Sequence, residues 1–196
     1  MNSFTSTRLS FRPIIAADKN FFVQQYTNAN IMRHNGGALT TADAIEQHSR
    51  LMRDNLRAQN NNKKTILSWA IVCKNTQDII GIQTLSFLIF PYNSHITKQA
   101  VSASISLNSS QALPKINQAE VGIILAQQHQ NKGFAQEALS ALIHYSFSEL
   151  ALDKVNAFYN SDNILSEKLF TRLGFKYDAN LQARKTNKCY FYLEKP

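Results

Sequence analysis

The segment Gln130–Ala135 limits the possible folds of this chain more than any other part of the sequence. It reads Gln-Asn-Lys-Gly-Phe-Ala, follows an apolar run that ends at Leu125, and opens a helix-periodic pattern at Phe134. A strand that ends in a short glycine-containing turn and then enters a helix presents unpaired backbone N–H groups at the positive end of the helix dipole. Such a turn binds anions, most often phosphates. The spacing Gln-x-x-Gly-x-Ala is weak evidence on its own, because Gly133 would also serve as an ordinary turn residue between a strand and a helix.

A second pattern, further along the chain, supports the first. Asn163 and Ser166 stand in the first turn of a predicted helix, and the run Leu169–Phe175 closes that helix with Gly174 in the position of a C-terminal cap. In this order, the two segments resemble the acetyl-CoA-binding core of the GNAT superfamily of N-acetyltransferases.

The resemblance extends from Arg8 to about Tyr192 and is strongest between Ala119 and Phe175. Two short runs, Arg8–Pro13 and Ala119–Gly122, are similar to those of the branch that acetylates the N-termini of ribosomal proteins. That branch also contains enzymes that act on small amines and amino sugars, so the resemblance leaves the acceptor amine open.

The bulk properties are those of a globular protein. The length fits one domain with a sizeable core, residues 1–196. No apolar run reaches the roughly 18 residues of a membrane span, and Met1–Pro13 lacks the apolar centre of a signal peptide. Cys73 and Cys189 have no partner at metal-ligand spacing and are expected to be buried thiols in a reducing compartment. We therefore expect a cytoplasmic protein.

The charge is basic and unevenly distributed. The formal net charge is +8, and residues 1–98 carry 11 basic against 5 acidic side chains. A basic surface attracts nucleic acids, acidic proteins or the phosphates of a nucleotide cofactor, but a solvated helix face with Arg50, Arg53 and Arg57 explains the surplus equally well. The sequence lacks the interleaved basic and aromatic motif of an RNA-binding sheet, so nucleic-acid binding is the least supported alternative.

Hydrophobic periodicity predicts an α/β fold. Strands are predicted at 9–14, 68–74, 79–90, 120–125 and 154–159, near 175, and at 188–194, with helices at 16–27, 41–59, 134–150 and 163–173. The second helix is expected to bury Ile45, Met52 and Leu56, and to begin at a cap at Thr40 or Thr41 with Glu46 as a possible capping-box partner.

The run Pro91–Gln118 has a looser pattern, with a further strand possible at 101–107. It is longer than the hairpin loop usual in the branch that the chain resembles. We expect it to form a substrate-side flap or an extra hairpin before the strand that leads into the glycine turn.

The resemblance implies a GNAT-like arrangement: a central mixed, mostly antiparallel twisted sheet with helices on both faces and a V-shaped splay between two central strands. The pantetheine arm of acetyl-CoA occupies that gap as if it were an additional strand. The residues that this implies for cofactor binding are the backbone of Ile123, Ile124 and Leu125 for the arm, the amides of Gln130, Asn131, Lys132, Gly133, Phe134 and Ala135 for the pyrophosphate, and Asn163, Ser166 and Phe170 along the channel. Asn163 could instead be only a helix cap.

The resemblance also implies the chemistry, which is direct attack of a neutral amine on the bound thioester in a ternary complex. Many relatives carry a Tyr, proposed to protonate the departing thiolate, at the position of Phe170, which cannot donate a proton. Ser166, a water or the solvent could take that role. Glu120 is the best-placed candidate base, although a strand-edge glutamate paired with a lysine is an equal alternative. A backbone N–H near Leu125 would stabilise the oxyanion.

These observations predict an acetyl-CoA-dependent N-acetyltransferase that acts on a primary amine, either a protein N-terminus or a small molecule, as a monomer or homodimer. The alternative is a non-catalytic acyl-CoA-binding or regulatory domain, suggested by the phenylalanine at position 170. No metal is expected, since the five histidines show no ligand spacing, although His129 adjoins the anion-binding turn.

Overall fold

The computed structural model describes residues 2–61, 65–87, 116–178 and 187–196. Within them, eight strands form one sheet: β1 (Phe4–Thr5), β2 (Leu9–Pro13), β3 (Ile66–Cys73), β4 (Ile79–Ser86), β5 (Gln118–Leu125), β6 (Lys154–Asn160), β7 (Lys176–Tyr177) and β8 (Lys188–Glu194). Their order is β1-β2-β3-β4-β5-β6-β8-β7, and all neighbouring pairs are antiparallel except β5 with β6, which is parallel. The predicted mixed, mostly antiparallel sheet is confirmed.

In the described ranges, five α-helices cover the two faces of this sheet. They are α1 (Lys19–Tyr26), α2 (Ala29–Met32), α3 (Thr41–Asn61), α4 (Phe134–Ser148) and α5 (Ile164–Arg172). None of the helices in the described ranges is long and apolar enough to cross a membrane.

Two hydrophobic clusters mark the two faces. The larger cluster joins α4 and Phe170 of α5 to alternate residues of the strands, including Ala119 and Val121 of β5. The smaller cluster holds Phe22 of α1 and Leu51 of α3 against the opposite face. Strand β3 contributes to both, which explains its nearly continuous apolar sequence, since a strand buried on both faces shows no alternation.

The first predicted helix is divided. Residues Ala16–Asp18 form a 3-10 turn, and the α-helix begins only at Lys19. The carboxylate of Asp18 accepts bonds from the guanidinium of Arg12, at 2.7 and 2.8 Å, and from the amide of Ile15, so this buried acid is paired and ties the turn to β2.

The predicted buried stripe of α3 is wrong at two of its three residues, since only Met52 packs against the smaller cluster, where it is half-buried. Ile45 and Leu56 are 40% and 57% exposed, whereas His48 and Asn55 are buried. The amide of Asn55 exchanges two 2.9 Å hydrogen bonds with the backbone of Ser68 on β3, which compensates for burying a polar side chain.

The N-terminal cap of α3 is Thr40, and its capping partner is Asp43 rather than Glu46.

Helix α5 is one residue shorter at each end than predicted, and its Leu165 is 63% exposed. Gly174 follows it with φ +83°, and the amide of Phe175 bonds the carbonyl of Phe170, as in a Schellman cap. The predicted strand at 101–107 and all but the end of the predicted flap lie outside the described residues, while Gln118 belongs to β5.

Candidate functional site

Strands β5 and β6 separate along their length. Their parallel pairing covers only Gln118, Ala119 and Glu120 of β5, whereas β5 stays paired with β4 from Glu120 to Leu125. Among the described strands, the second half of β5 therefore has a neighbour on one side only. This gap is the V-shaped splay that the sequence predicted.

The alternation of peptide groups decides which backbone atoms line the gap. The amide of Ala126 donates to the carbonyl of Ile80, in β4, at 2.9 Å. Because peptide groups alternate along a strand, those of Ile124 also face β4, and those of Ile123 and Leu125 face the gap. Ile124 is therefore a correction to the three backbone contacts expected from the sequence. The carbonyl of Leu125 already accepts a 3.0 Å bond from the side-chain amide of Gln130.

The glycine turn lies at the wide end of the gap and leads into α4. Gly133 is the N-cap residue of α4 with φ +77°, and Asn131 has φ +60°, so two left-handed residues shape the turn. A side chain at position 133 would be strained and would meet the guanidinium of Arg8, since its Cβ would lie 3.4 Å from Nη2.

The backbone amides of this turn are open. Among the described residues, no protein acceptor engages the N–H groups of Asn131 to Ala135, and no side chain caps α4. Gln130 is the exception, because its amide donates to the carbonyl of Gln127 at 3.2 Å. The predicted group of six amides is thus reduced to five, which together form the unsatisfied, electropositive start of a 15-residue helix.

The turn is bound to a segment that the sequence did not predict to be part of the site. Glu137, in the first turn of α4, accepts hydrogen bonds from the hydroxyl of Ser6 and from the backbone N–H and Nε–H of Arg8, at 2.7, 2.6 and 2.6 Å. Burial alone would raise the pKa of Glu137, but the hydrogen bonds from Arg8 and Ser6 outweigh it and lower the pKa below its ordinary value. No sequence signal could have paired residues 129 positions apart.

The start of α5 is organised differently. The side chain of Asn163 caps this helix by accepting a hydrogen bond from the amide of Ser166 at 3.2 Å. Asn163 therefore has the capping role that the sequence offered as an alternative to cofactor binding. Ser166 is half-buried, and Phe170 is buried, with its ring stacked on Tyr159 at 5.9 Å between centroids.

Glu120 lies at the vertex of the gap, in the last register position shared with β6, opposite Asn156. Burial raises the pKa of Glu120 to about 7, although Lys188 acts in the opposite direction. No ion pair within 4.0 Å involves Glu120 in the described ranges, so the alternative of a glutamate held by a lysine is not favoured.

Glu120 and helix α5, which carries Ser166, lie on opposite faces of the sheet. Ala119 and Val121 belong to the cluster beneath α4 and α5, and by alternation Glu120 faces the other side of the sheet. Helix α5, which carries Ser166, packs on the side of that cluster through Phe170. A ligand in the gap would thus meet a carboxyl group from one face and the start of α5 from the other.

The remaining candidates are peripheral. His129 lies beside the turn, 6.2 Å from Phe134 between ring centroids, and the described residues contain no group of three potential metal ligands. Cys73 and Cys189 are both free thiols; Cys73 is buried as predicted, whereas Cys189 is only half-buried.

Comparison with known proteins identifies this arrangement. The profile of the Acetyltransferase (GNAT) domain matches residues 8–176. The chain belongs to the GNAT family of acetyltransferases. It is 27% identical over 175 residues to the uncharacterized N-acetyltransferase YoaA of Bacillus subtilis (strain 168), covering 89% of this chain and 83% of that protein.

Solved GNAT structures share the fold at low identity. The spermidine N-acetyltransferase from Vibrio cholerae in complex with CoA and spermine has a TM-score of 0.66 at 20% identity, covering 95% of both chains. An acetyltransferase from Salmonella typhimurium that modifies the N-terminal serine of ribosomal protein L7/L12 has a TM-score of 0.68 at 16% identity, covering 97% of both. The present chain is thus a GNAT-type acyltransferase, from a family that uses acetyl-CoA and acts on amines.

Proposed function

We propose that this GNAT chain is an acetyl-CoA-dependent N-acetyltransferase that transfers the acetyl group to a primary amine by direct attack in a ternary complex. The observation that carries the proposal is the gap between β5 and β6, which ends at five open amides at the start of α4. An extended arm with a diphosphate at one end matches both features, because the arm needs an unpaired strand edge and the diphosphate needs clustered N–H donors.

The cofactor contacts follow from this geometry. The peptide groups of Ile123 and Leu125 face the gap and would bond the pantetheine arm, while the amides of Asn131–Ala135 would hold the diphosphate. The Leu125 N–H, which points into the gap, is our candidate for the donor that stabilises the oxyanion. Asn163, Ser166 and Phe170 would line the α5 side of the channel.

Glu120 is our candidate for the general base. An ammonium has no free electron pair, so the acceptor must lose a proton before its nitrogen attacks the thioester carbon. A carboxylate with a pKa of about 7 is half ionised near neutral pH and is basic enough to take that proton, directly or through one water. The nitrogen of the tetrahedral intermediate loses its second proton to solvent as the intermediate collapses, the C–S bond breaks, and coenzyme A leaves as a thiolate that takes up one proton.

Protonation of the thiolate cannot involve residue 170, which is a phenylalanine packed against Tyr159 and Phe175. The hydroxyl of Ser166, one helical turn earlier, is the candidate on the α5 side, and water is the alternative. A thiolate is a good leaving group, so loss of a dedicated acid slows the reaction without stopping it.

The acceptor is proposed as a primary amine, on a protein N-terminus or a small molecule. The two solved relatives described above represent these two classes, since one is a spermidine acetyltransferase and the other modifies an N-terminal serine. Membership in a family of acetyltransferases favours catalysis over the alternative of a non-catalytic acyl-CoA-binding domain.

Two measurements test the proposal. Acetyl-CoA should raise the melting temperature, because a ligand at 100 times its Kd stabilises the native state by about 2.7 kcal/mol. Thiol release from acetyl-CoA should then accelerate with at least one amine in a panel that includes spermidine and a peptide with an N-terminal serine. Absence of any stabilisation would contradict cofactor binding, and stabilisation without thiol release for every amine would support the non-catalytic alternative.

A further inference from the structure

We propose that Arg8 is a positioning residue for the anion-binding turn, and that it acts through the fork geometry of its guanidinium rather than through its charge. This inference rests on the proposed function, since the turn must hold a diphosphate for the position of its amides to matter. Arg8 lies just before β2, far from the turn in sequence, yet it contacts three consecutive parts of the turn and helix.

The first contact fixes the start of α4. Glu137 receives the backbone N–H of Arg8 on Oε1 and the side-chain Nε–H on Oε2, both at 2.6 Å, and also the hydroxyl of Ser6. The carboxylate side chain is only 15% exposed, so these charge-assisted bonds form in a partly desolvated place where they are strong. The turn between β1 and β2 is thereby joined to the first turn of the helix.

The second contact sets the direction of an amide. Nη1 of Arg8 donates to the carbonyl of Lys132 at 3.2 Å. The peptide between Lys132 and Gly133 is trans and planar, so its C=O and N–H point in opposite directions. A carbonyl held towards Arg8 therefore turns the Gly133 N–H away from Arg8, to the side where no protein group engages it.

The third contact covers the first helical residue. The guanidinium carbon lies 4.4 Å from the ring centroid of Phe134, and Nη2 is 3.4 Å from the position that a Cβ on Gly133 would take. Arg8 thus contacts Lys132, Gly133 and Phe134 from one side, and the Gly133 N–H points to the other.

Only an arginine can make all three contacts at once. The guanidinium supplies Nε and Nη1 donors in a rigid plane and stacks on an aromatic ring, whereas a lysine offers one flexible point charge. If Arg8 served only to attract the anionic cofactor by its charge, a lysine at position 8 would bind the cofactor equally well. The substitution Arg8→Lys therefore distinguishes positioning by the guanidinium from attraction by charge.

The test uses the full chain with Arg8→Gln, Arg8→Lys and the control Arg57→Gln, which removes the same charge from an exposed residue of α3. The affinity for coenzyme A is measured by calorimetry. We expect the Kd to rise about tenfold in both Arg8 variants, the equivalent of losing one charge-assisted hydrogen bond, and to stay at the wild-type value in Arg57→Gln. Circular dichroism and thermal melts of the free proteins show whether each variant is folded.

A second donor separates positioning from a general defect. S-acetylpantetheine lacks the diphosphate, so the loss of kcat/KM in Arg8→Gln should be large with acetyl-CoA and much smaller with S-acetylpantetheine. Glu137→Gln should reproduce the effect, and the double variant should lose less than the sum of the two single losses. The comparison of Kd values decides the question even if the short donor turns over too slowly.

The inference would be overturned by wild-type affinity in Arg8→Lys, which would indicate charge alone, or by equal losses with both donors, which would indicate a defect of the whole fold. A lower melting temperature with an unchanged Kd would also overturn it. If wild-type protein fails to bind coenzyme A at all, the proposed function fails; if wild type binds and Arg8→Gln binds equally well, only the role of Arg8 is lost.

Discussion

Helices α4 and α5 begin in opposite ways, although both follow a strand at the edge of the same gap. The start of α5 is closed, because the side chain of Asn163 accepts the amide of Ser166. The start of α4 is open, because Gly133 has no side chain with which to cap it and the amides of Asn131–Ala135 have no protein partner in the described ranges.

The difference shows how a chain chooses between stability and binding at a helix start. A cap residue such as Asn satisfies the first amides internally and stabilises the protein, whereas an uncapped start leaves that interaction to a ligand. In α4 the missing cap is offset by the bonds from Ser6 and Arg8 to Glu137, which hold the helix start in place without using its amides. The uncapped start of α4 is thus held in place by residues that lie outside the helix.

The largest expected effect follows from placing a side chain at Gly133, the uncapped start of α4. Gly133→Glu should lower the affinity for acetyl-CoA about a hundredfold or more, because a carboxylate placed against the diphosphate costs several kcal/mol. Calorimetric titration measures this loss. Gly36→Glu is the matched control, since Gly36 also has a positive φ of +89° but no atom within 4 Å of an added Cβ. Equal affinity in Gly133→Glu and wild type would show that the diphosphate does not bind at this turn.

The next prediction separates binding from chemistry. If the start of α4 holds the cofactor, a change at the other end of the gap should affect turnover alone. Glu120→Gln should lower kcat about 100-fold near neutral pH, a typical loss for a general base, with the Kd for acetyl-CoA nearly unchanged. The pH profile should also lose its limb near pH 7. A rate equal to that of wild type from about pH 6 to 9 would exclude Glu120 as the base.

The same residue makes a smaller prediction about stability. The folded-state pKa of Glu120 is raised from an ordinary value of 4.5 to about 7, so the folded protein binds this proton more tightly than the unfolded chain does. Relative to an ordinary glutamate that stays ionised, the protonated Glu120 side chain contributes its full stabilisation of the folded state below about pH 4.5. That stabilisation is lost as the pH rises through about 7. Thermal melts should show wild type losing stability relative to Glu120→Gln across that window and a constant difference above it. A constant difference throughout would mean that the pKa is ordinary.

The sequence predicted the order of the elements because most of them alternate or repeat with one clear period. It failed on the buried face of α3, where the stripe contains His48 and Asn55 and the exposed face contains Ile45 and Leu56. Polar side chains can be buried there because they bond backbone atoms of other elements, Ile15 and Ser68. Such partners are set by tertiary contacts, and no local pattern reveals them.

The site was predictable to the extent that it is local. The glycine turn and the cap of α5 are each encoded within a few residues, so the short sequence patterns around Gly133 and Asn163 were enough to indicate them. The orientation of Ile124 depends on pairing with β4, and the bracing by Arg8 depends on a contact with Glu137, so both became apparent only in the folded chain. The sequence also gave no means of showing that the amide of Gln130 is already bonded.

The smallest expected effect comes from removing the side-chain cap of α5. Asn163→Ala should cost about 1 kcal/mol of stability by removing the cap, and Asn163→Asp should restore it, because a carboxylate oxygen accepts the Ser166 amide equally well. Melting temperatures measure both. If Asn163 is only a cap, the affinity for acetyl-CoA follows stability and recovers in Asn163→Asp. If its side-chain N–H₂ also donates to the pantetheine arm, the aspartate restores stability but not affinity, and α5 then takes part in binding while its first amides stay closed.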